Sequence, residues 1–315
     1  MKTAEAHDTA KPFLKWAGGK RQLLPELRKF YPNTFGAYFE PFTGSGAVFF
    51  DLHNRGLLRG RKAFLIDNNP DLIGCYRSLR DDPEGVIRQL TELALEYRRK
   101  GSDFYYDLRD RQFNPLRARL FATTGDPVSS YTPDLAAMAI FLNRTGFNGL
   151  FRLNSRNEFN VPEGRYSNPQ ICHPENLRRV SRALNQTGVT IQHGHFSAIE
   201  ALAQSGDFLY FDPPYAPMSK TARFTSYTAQ PFGAGEQRRL HALLLDLSKR
   251  RCHVVVSNSA AAEIRRLYDS DATRKARLYV HTVRARRAIN SKPSARGAVD
   301  EYILTNQRAA AGKPR

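Results

Sequence analysis

The sequence predicts an α/β fold, a parallel sheet interrupted by a long, mostly helical insertion that carries a β-hairpin. Three observations carry this expectation. Short β-prone runs alternate with helical stretches near both ends of the chain. The middle changes to helical spacing. A glycine-rich turn and two acids stand directly after apolar runs, where an open α/β sheet presents its ligand site.

Ala37–Phe39 is a first β-prone run, followed at once by the turn Glu40-Pro41-Phe42-Thr43-Gly44-Ser45-Gly46 and an apolar stretch, Ala47–Leu52. Ala63–Ile66 is a second run and ends in Asp67. From Asp82 to Lys100, Val86, Ile87, Leu90, Leu93, Ala94 and Tyr97 follow helical spacing. Pro133 opens a further helix over Asp134–Asn143, and Asn176–Leu184 returns to the same spacing. Between them, Gly146–Tyr166 is rich in Gly, Asn and Arg with short β-prone pieces, which predicts a hairpin. After Val189 the alternation resumes. Val189–Ile191, Phe208–Phe211 and Val254–Val256 read as buried strands, and Leu240, Leu243, Leu244 and Leu247 mark one helical face. Residues 1–71 and 188–315 should therefore form one domain, with 72–187 inserted into it.

The chain has 315 residues, 48 Lys plus Arg against 30 Asp plus Glu, and a formal charge of +18. Its 41% apolar residues are ordinary for a globular chain and argue against bulk disorder. The longest apolar runs, such as Ala136–Leu142, are too short to span a bilayer. Met1–Pro12 is polar and lacks a signal-type apolar stretch, so a cytoplasmic protein is expected. Cys75, Cys172 and Cys252 lie far apart, which excludes a disulfide scaffold and disfavours a cysteine zinc site. Between Arg274 and Arg315, eleven Lys/Arg face two acids, Asp300 and Glu301. A nucleic acid is the polyanion that would use such an imbalance. A merely solvated basic surface is the alternative.

Two sites could carry chemistry. In Phe42–Gly46, glycines after a strand let the backbone turn sharply and approach a ligand. Asp67 follows Gly46 by 21 residues at the next strand end, placed to accept hydrogen bonds from ribose hydroxyls. Together they indicate an adenosine-containing cofactor, although a structural tight turn would use the same glycines. The full GxGxxG spacing and a Walker-type loop are absent, so NAD and ATP are not favoured. Asp212-Pro213-Pro214-Tyr215 closes the run Phe208–Phe211. Its prolines stiffen the backbone and bring no N–H, leaving the Asp212 carboxylate and Pro213 carbonyl as fixed acceptors for an exocyclic amine. Tyr215 offers a face to a planar ring. A strand terminator is the plain alternative. No His/Asp/Glu/Cys cluster has metal-site spacing, and no metal is expected.

Asp212–Tyr215 resembles the catalytic motif of amino-group methyltransferases that use S-adenosylmethionine. Phe13-Leu14-Lys15-Trp16-Ala17-Gly18-Gly19-Lys20 is similar to the opening motif of the Dam-type (D12 class) DNA adenine-N6 methyltransferases. The likeness runs on through Glu40–Gly46, Asp67–Leu72, Leu142–Arg144, Phe147–Leu150, Glu158–Pro162, Ser257–Ser259 and Glu301–Asn306, nearly the whole chain in the family's order. It implies a Rossmann-like methyltransferase sheet with an inserted DNA target-recognition domain. It implies a site-specific enzyme that transfers a methyl group from S-adenosyl-L-methionine to N6 of an adenine flipped out of duplex DNA, in a GATC-type site or a GATATC-like one. A cognate restriction endonuclease is a candidate partner.

The same resemblance implies residue roles. Trp16, Lys20, Phe42, Gly44, Gly46, Asp67 and Asp212 would line the cofactor site. Asp212, Pro213 and Tyr215 would act on the target base, beside the loop Ala216–Phe232 with Lys220, Arg223, Phe224, Tyr227 and Phe232. Lys15, Phe147, Asn148, Leu150, Arg152 and Pro162 would contact DNA. Phe147 stands where some relatives have Tyr, and Glu163 replaces an apolar residue that some carry. Arg152 suits a guanine edge or a phosphate. An RNA amino-methyltransferase, or a basic DNA-binding protein with a dead cofactor site, are the competing readings.

Overall fold

Of the chain, the computed structural model describes residues 9–16, 20–123, 126, 128–215, 232–286 and 298–309. The loop residues Ala216–Pro231, and Ala17–Gly19 of the opening motif, lie outside the described residues. The strands are β1 (Tyr38–Glu40), β2 (Ala63–Asp67), β3 (Val189–His193), β4 (Phe208–Phe211), β5 (His253–Ser259), β6 (Tyr279–Arg286) and β7 (Ala298–Thr305). They form one sheet in the order β3-β2-β1-β4-β5-β7-β6. The first five positions are parallel, and β7 lies antiparallel between β5 and β6. This is the Rossmann-like arrangement expected, with an antiparallel pair added at one edge.

That pair was not foreseen from the sequence. β6 is an edge strand in which Tyr279, Thr282 and Arg284 are exposed, so no apolar run marks it. Elsewhere the alternation within short runs distributes side chains to two faces. Tyr38, Ala63, Leu65, Phe208, Tyr210 and Val255 join one apolar cluster. Their neighbours Phe39, Ile66, Leu209, Phe211, Val254 and Val256 join the other. Both faces are covered, as a parallel sheet requires.

The helices are α1 (Leu24–Leu27), α2 (Ala47–Asn54), α3 (Pro70–Asp81), α4 (Pro83–Lys100), α5 (Ser102–Asp107), α6 (Asn114–Thr123), α7 (Pro133–Thr145), α8 (Pro174–Leu184), α9 (Ala234–Lys249), α10 (Ala262–Tyr268) and α11 (Asp271–Lys275). A π-helical turn, Leu108–Phe113, joins α5 to α6. Helices α3 to α8 lie between β2 and β3 in the chain, and four of them start alike. Asn69, Asp82, Thr132 and His173 each accept a backbone N–H with the side chain, and proline follows in the first turn. The cap satisfies an otherwise unpaired donor, and proline gives up only an N–H the helix would not use.

The expected hairpin is looser than a β-ladder. Its limbs meet in two isolated bridges, Gly146↔Glu163 and Leu153↔Phe159. Bonds such as Phe147 N–H to Pro162 O (2.8 Å) and Asn160 N–H to Arg152 O (3.1 Å) supplement them. Cys75 and Cys252 are buried, Cys172 is half-buried, and all three are free. Among the described residues, no helix is long and apolar enough to cross a membrane.

Gly74 shows how tightly α3 packs. A Cβ there would stand 2.3 Å from the Tyr131 ring. Alanine in a helix usually stabilises, but here overpacking should outweigh propensity. Gly74→Ala should destabilise by about 1–3 kcal/mol, read as a lowered urea midpoint.

Candidate active site

The chain leaves β1 outward to β2 and β3, then returns to β4 on the other side of β1. Ligands bind at such a reversal, outside the carboxyl ends of the strands. Glu40 ends β1, Asp67 ends β2, and Asp212 follows β4, so three acids come to the same edge.

The turn after β1 is held from within. Thr43 Oγ1 lies 2.9 Å from Glu40 O and 3.0 Å from Ile66 O. Gly44 (φ 48°) and Gly46 (φ 65°) occupy the left-handed region that favours glycine. A Cβ on Gly44 would lie 2.9 Å from the Trp16 ring, so this glycine lets the indole sit directly on the turn. The Tyr76 hydroxyl donates to Gly44 O at 3.2 Å. Asp67 Oδ2 accepts the Gly44 N–H and its Oδ1 the Asn69 N–H, both at 3.0 Å. Burial nevertheless pushes the Asp67 carboxyl up to about 6. Beside it, Asn69 Nδ2 is buried and lacks a hydrogen-bond partner among the described residues.

Across the reversal, the buried Lys20 ammonium lies 2.8 Å from Asp212 Oδ1 and 4.5 Å from the centre of the Tyr215 ring. The Asp212 side chain keeps 22% exposure, so its carboxylate is not sealed within the core. Burial pushes its carboxyl up to about 6, although Lys20 pulls the other way. The Tyr215 hydroxyl donates to Glu301 Oε2 at 2.7 Å, which steadies the ring from β7. Gln237 on α9 donates to Pro214 O at 3.2 Å and accepts from Asn258 Nδ2 at 3.3 Å. The expected Asp212–Tyr215 motif is thus supported from three elements. Glu301 and Asn258 had been noted only as parts of motifs, and Gln237 carried no signal in the sequence.

The residues expected to touch DNA gather around α7. Asn143 accepts the Lys15 N–H at 2.8 Å and donates to Lys15 O at 2.7 Å and Gly149 O at 3.0 Å. One buried amide thereby fastens the opening motif to the hairpin turn. Lys15 Nζ donates to Arg144 O at 2.8 Å and lies 3.8 Å from the Tyr166 ring centre. Burial lowers its pKa to about 8. The Tyr166 hydroxyl also accepts the Asn148 N–H at 3.1 Å, a role with no signal in the sequence. Phe147 is 41% exposed, unusual for a ring of that size, and Pro162 is exposed. Leu150 is half-buried against the core. Arg152 Nε donates to Asn160 Oδ1 at 2.8 Å and its Nη2 to Asn160 O at 3.2 Å. Phe42 stands apart from the other expected cofactor residues in its packing, against Phe196 and Phe232. No group of His, Cys, Asp and Glu able to hold a metal occurs among the described residues.

A family model for D12 class N6 adenine-specific DNA methyltransferase matches residues 16–289. The chain belongs to this family. It is a site-specific, adenine-specific DNA methyltransferase, which sets aside the RNA alternative and the inactive binder. The type II methyltransferase M1.LlaDCHI of Lactococcus lactis subsp. cremoris is 39% identical over 94% of this chain and 95% of its own. The type II methyltransferase M.MjaIII of Methanocaldococcus jannaschii is 38% identical over 94% of this chain and 99% of its own. The DNA adenine methylase of Haemophilus influenzae is 32% identical over 93% and 92%.

The third acid of this D12 enzyme differs from its neighbours. Burial pushes Glu40 up to about 8, although Tyr38 Oη (2.9 Å) and the Phe49 N–H (3.1 Å) both donate to its Oε2. A carboxyl raised on folding favours the native state while it stays protonated, so that stability is lost as pH rises from about 4.5 to 8. Glu40→Gln cannot ionise. Its urea midpoint should gain on that of the unsubstituted protein between pH 6 and about 8, then keep a constant lead.

Proposed function

We propose that this D12 methyltransferase takes its methyl group from S-adenosyl-L-methionine and delivers it to N6 of an adenine flipped out of duplex DNA, within a short GATC-type site. The observation that carries this reading is the convergence of the Gly44 turn, Asp67 and Asp212 on one sheet reversal. The residues fit the cofactor. Asp67 suits ribose hydroxyls, Trp16 lies on the Gly44 turn beside it, and Asn69 Nδ2, unpaired among the described residues, adds a donor at the same strand end. When bound, the cofactor supplies an electrophilic methyl group on a sulfonium.

The chain's own residues supply orientation and charge. The N6 lone pair of adenine is delocalised into the ring and is a poor nucleophile. Asp212 and the Pro213 carbonyl accept its hydrogens, favour pyramidalisation and offset the positive charge that develops on nitrogen. With its carboxyl at about 6, Asp212 is ionised at neutral pH and able to accept. Tyr215, steadied by Glu301, stacks on the flipped base. Lys20 would hold the cofactor carboxylate, and Trp16, Phe42, Gly44 and Gly46 would shape that side of the site. In-line displacement then needs mainly alignment of donor and acceptor.

Residues 72–187 act as the target-recognition domain. Lys15, Phe147, Asn148, Leu150, Arg152 and Pro162 face the duplex, with Phe147 filling the space the adenine vacates. Asn160 holds the Nε side of Arg152, while Nη1 makes no hydrogen bond to a described residue and is left for a guanine. Type II names among the relatives support a restriction-modification role with a cognate endonuclease as partner.

Transfer of labelled methyl groups to duplexes carrying GATC, GATATC or neither tests the whole reading, and no transfer to either site would refute it. Asp212→Ala should abolish turnover while duplex binding largely survives, and near-normal methylation would remove Asp212 from catalysis. Arg152→Ala should cost about 1–3 kcal/mol and relax preference at one base pair. A uniform drop over all single-base variants of the site would make Arg152 a phosphate contact.

A further inference from the structure

Helices α5 and α6 carry one limb of the hairpin by side chain rather than by sheet. Arg117 Nη1 donates to Asn157 O at 2.6 Å. Asn114 donates to Phe159 O at 3.0 Å and accepts the Phe159 N–H at 2.8 Å. Tyr105 Oη and Arg109 Nη1 donate to Val161 O at 2.9 and 3.1 Å. Residues 159 and 161 share one side of the returning limb, so helical side chains satisfy backbone groups that a further strand would otherwise pair, while Asn157 belongs to the turn before that limb. The π-helical turn between α5 and α6 adds a residue to the helical repeat and so sets the rotation between these two groups of anchors.

Arg117 differs from the other anchors in what else it holds: the second partner of Arg109 is its own neighbour Asp110, whereas that of Arg117 is Asp71 on α3. Its Nε bonds both oxygens of Asp71, at 2.8 and 2.9 Å, and the two side chains are only 4% and 2% exposed. Asp71 sits in the first turn of α3, directly after the Asp67–Asn69 bond that closes the cofactor-side turn. A buried ion pair returns little net stability once desolvation is counted, whereas its fixed geometry can specify register. Asn157 is also strained, at φ 62°, so the carbonyl that Arg117 holds belongs to the turn that sets the hairpin tip.

We propose that Arg117 is a positioning residue for target recognition, transmitting the setting of the Asp67–α3 corner to the hairpin through the Asp71–Arg117–Asn157 link. The proposal rests on the reading of the hairpin as the element that contacts bases. It predicts that the link governs discrimination between sites more than stability or cofactor affinity.

The test is Arg117→Lys, which keeps a charge opposite Asp71 but cannot hold Asp71 and Asn157 O with one planar fork. The neutral pair Asp71→Asn with Arg117→Gln supplies the same measurement if the lysine variant does not fold. Thermal midpoint and S-adenosylmethionine affinity without DNA should stay near those of the unsubstituted protein. The ratio of kcat/KM on the preferred duplex to that on its single-base variants should fall about tenfold, the scale of one lost base contact. Equal slowing on all duplexes, or an unchanged ratio in a folded variant, would overturn the proposal. Arg152→Ala assayed on the same duplexes separates the two failures. If it shifts preference while Arg117→Lys does not, the hairpin reads bases and only the link is wrong; if neither shifts preference, both readings fall.

Discussion

A parallel sheet delivers every strand's carboxyl end to one edge, and this constraint organises the rest of the molecule. The reversal between β1 and β4 opens a crevice at that edge, and the acids after three successive strands line it. Such a gathering of carboxyls is expensive unless each is neutralised or bonded. Asp67 is met by two backbone N–H groups, Asp212 by Lys20, and Glu40 remains protonated at neutral pH. Three different solutions to one electrostatic problem leave the carboxyls chemically distinct.

Lys20 and Lys15 stand five residues apart in the opening motif and end in different places. Lys20 is drawn under the sheet edge onto Asp212, whereas Lys15 lies over Tyr166 beside the hairpin. Trp16, between them, covers Gly44 and stacks on Phe151 at 6.5 Å. This short segment is therefore the physical connection between the cofactor side and the DNA side. Asn143 keeps it in place through backbone bonds that side-chain changes in the segment would leave intact.

The hairpin is anchored both by the buried side chains of Phe151, Phe159 and Val161 and by polar contacts to its backbone. Asn143 and Tyr166 hold its first turn, and Asn114, Arg117 and Tyr105 hold its returning limb. Anchors of this kind fix the path of the main chain yet leave side chains such as Phe147 exposed. An element that must present varied side chains to a duplex from a constant frame has this requirement, because base contacts specify only when the frame is rigid.

Local chemistry made much of this protein legible in its sequence. Apolar runs of strand length marked β1 to β5, and Pro133 marked the start of one insertion helix. Gly44, Gly46, Asp67 and Asp212 were identifiable because each stands immediately after such a run, where topology makes position meaningful. Tertiary structure alone decided the rest. β7 is placed by its pairing with β5 and β6 by its pairing with β7, and side chains of α5 and α6 bond the hairpin limb. The partners of Asn143, Arg117 and Tyr166 lie far away in sequence or on the backbone, where residue type carries no signal. The high pKa of Glu40 arises from burial, which a glutamate at a strand end does not reveal by itself. Spacing encodes which elements form and where their ends fall; only packing determines what each polar group must bond to once water is removed.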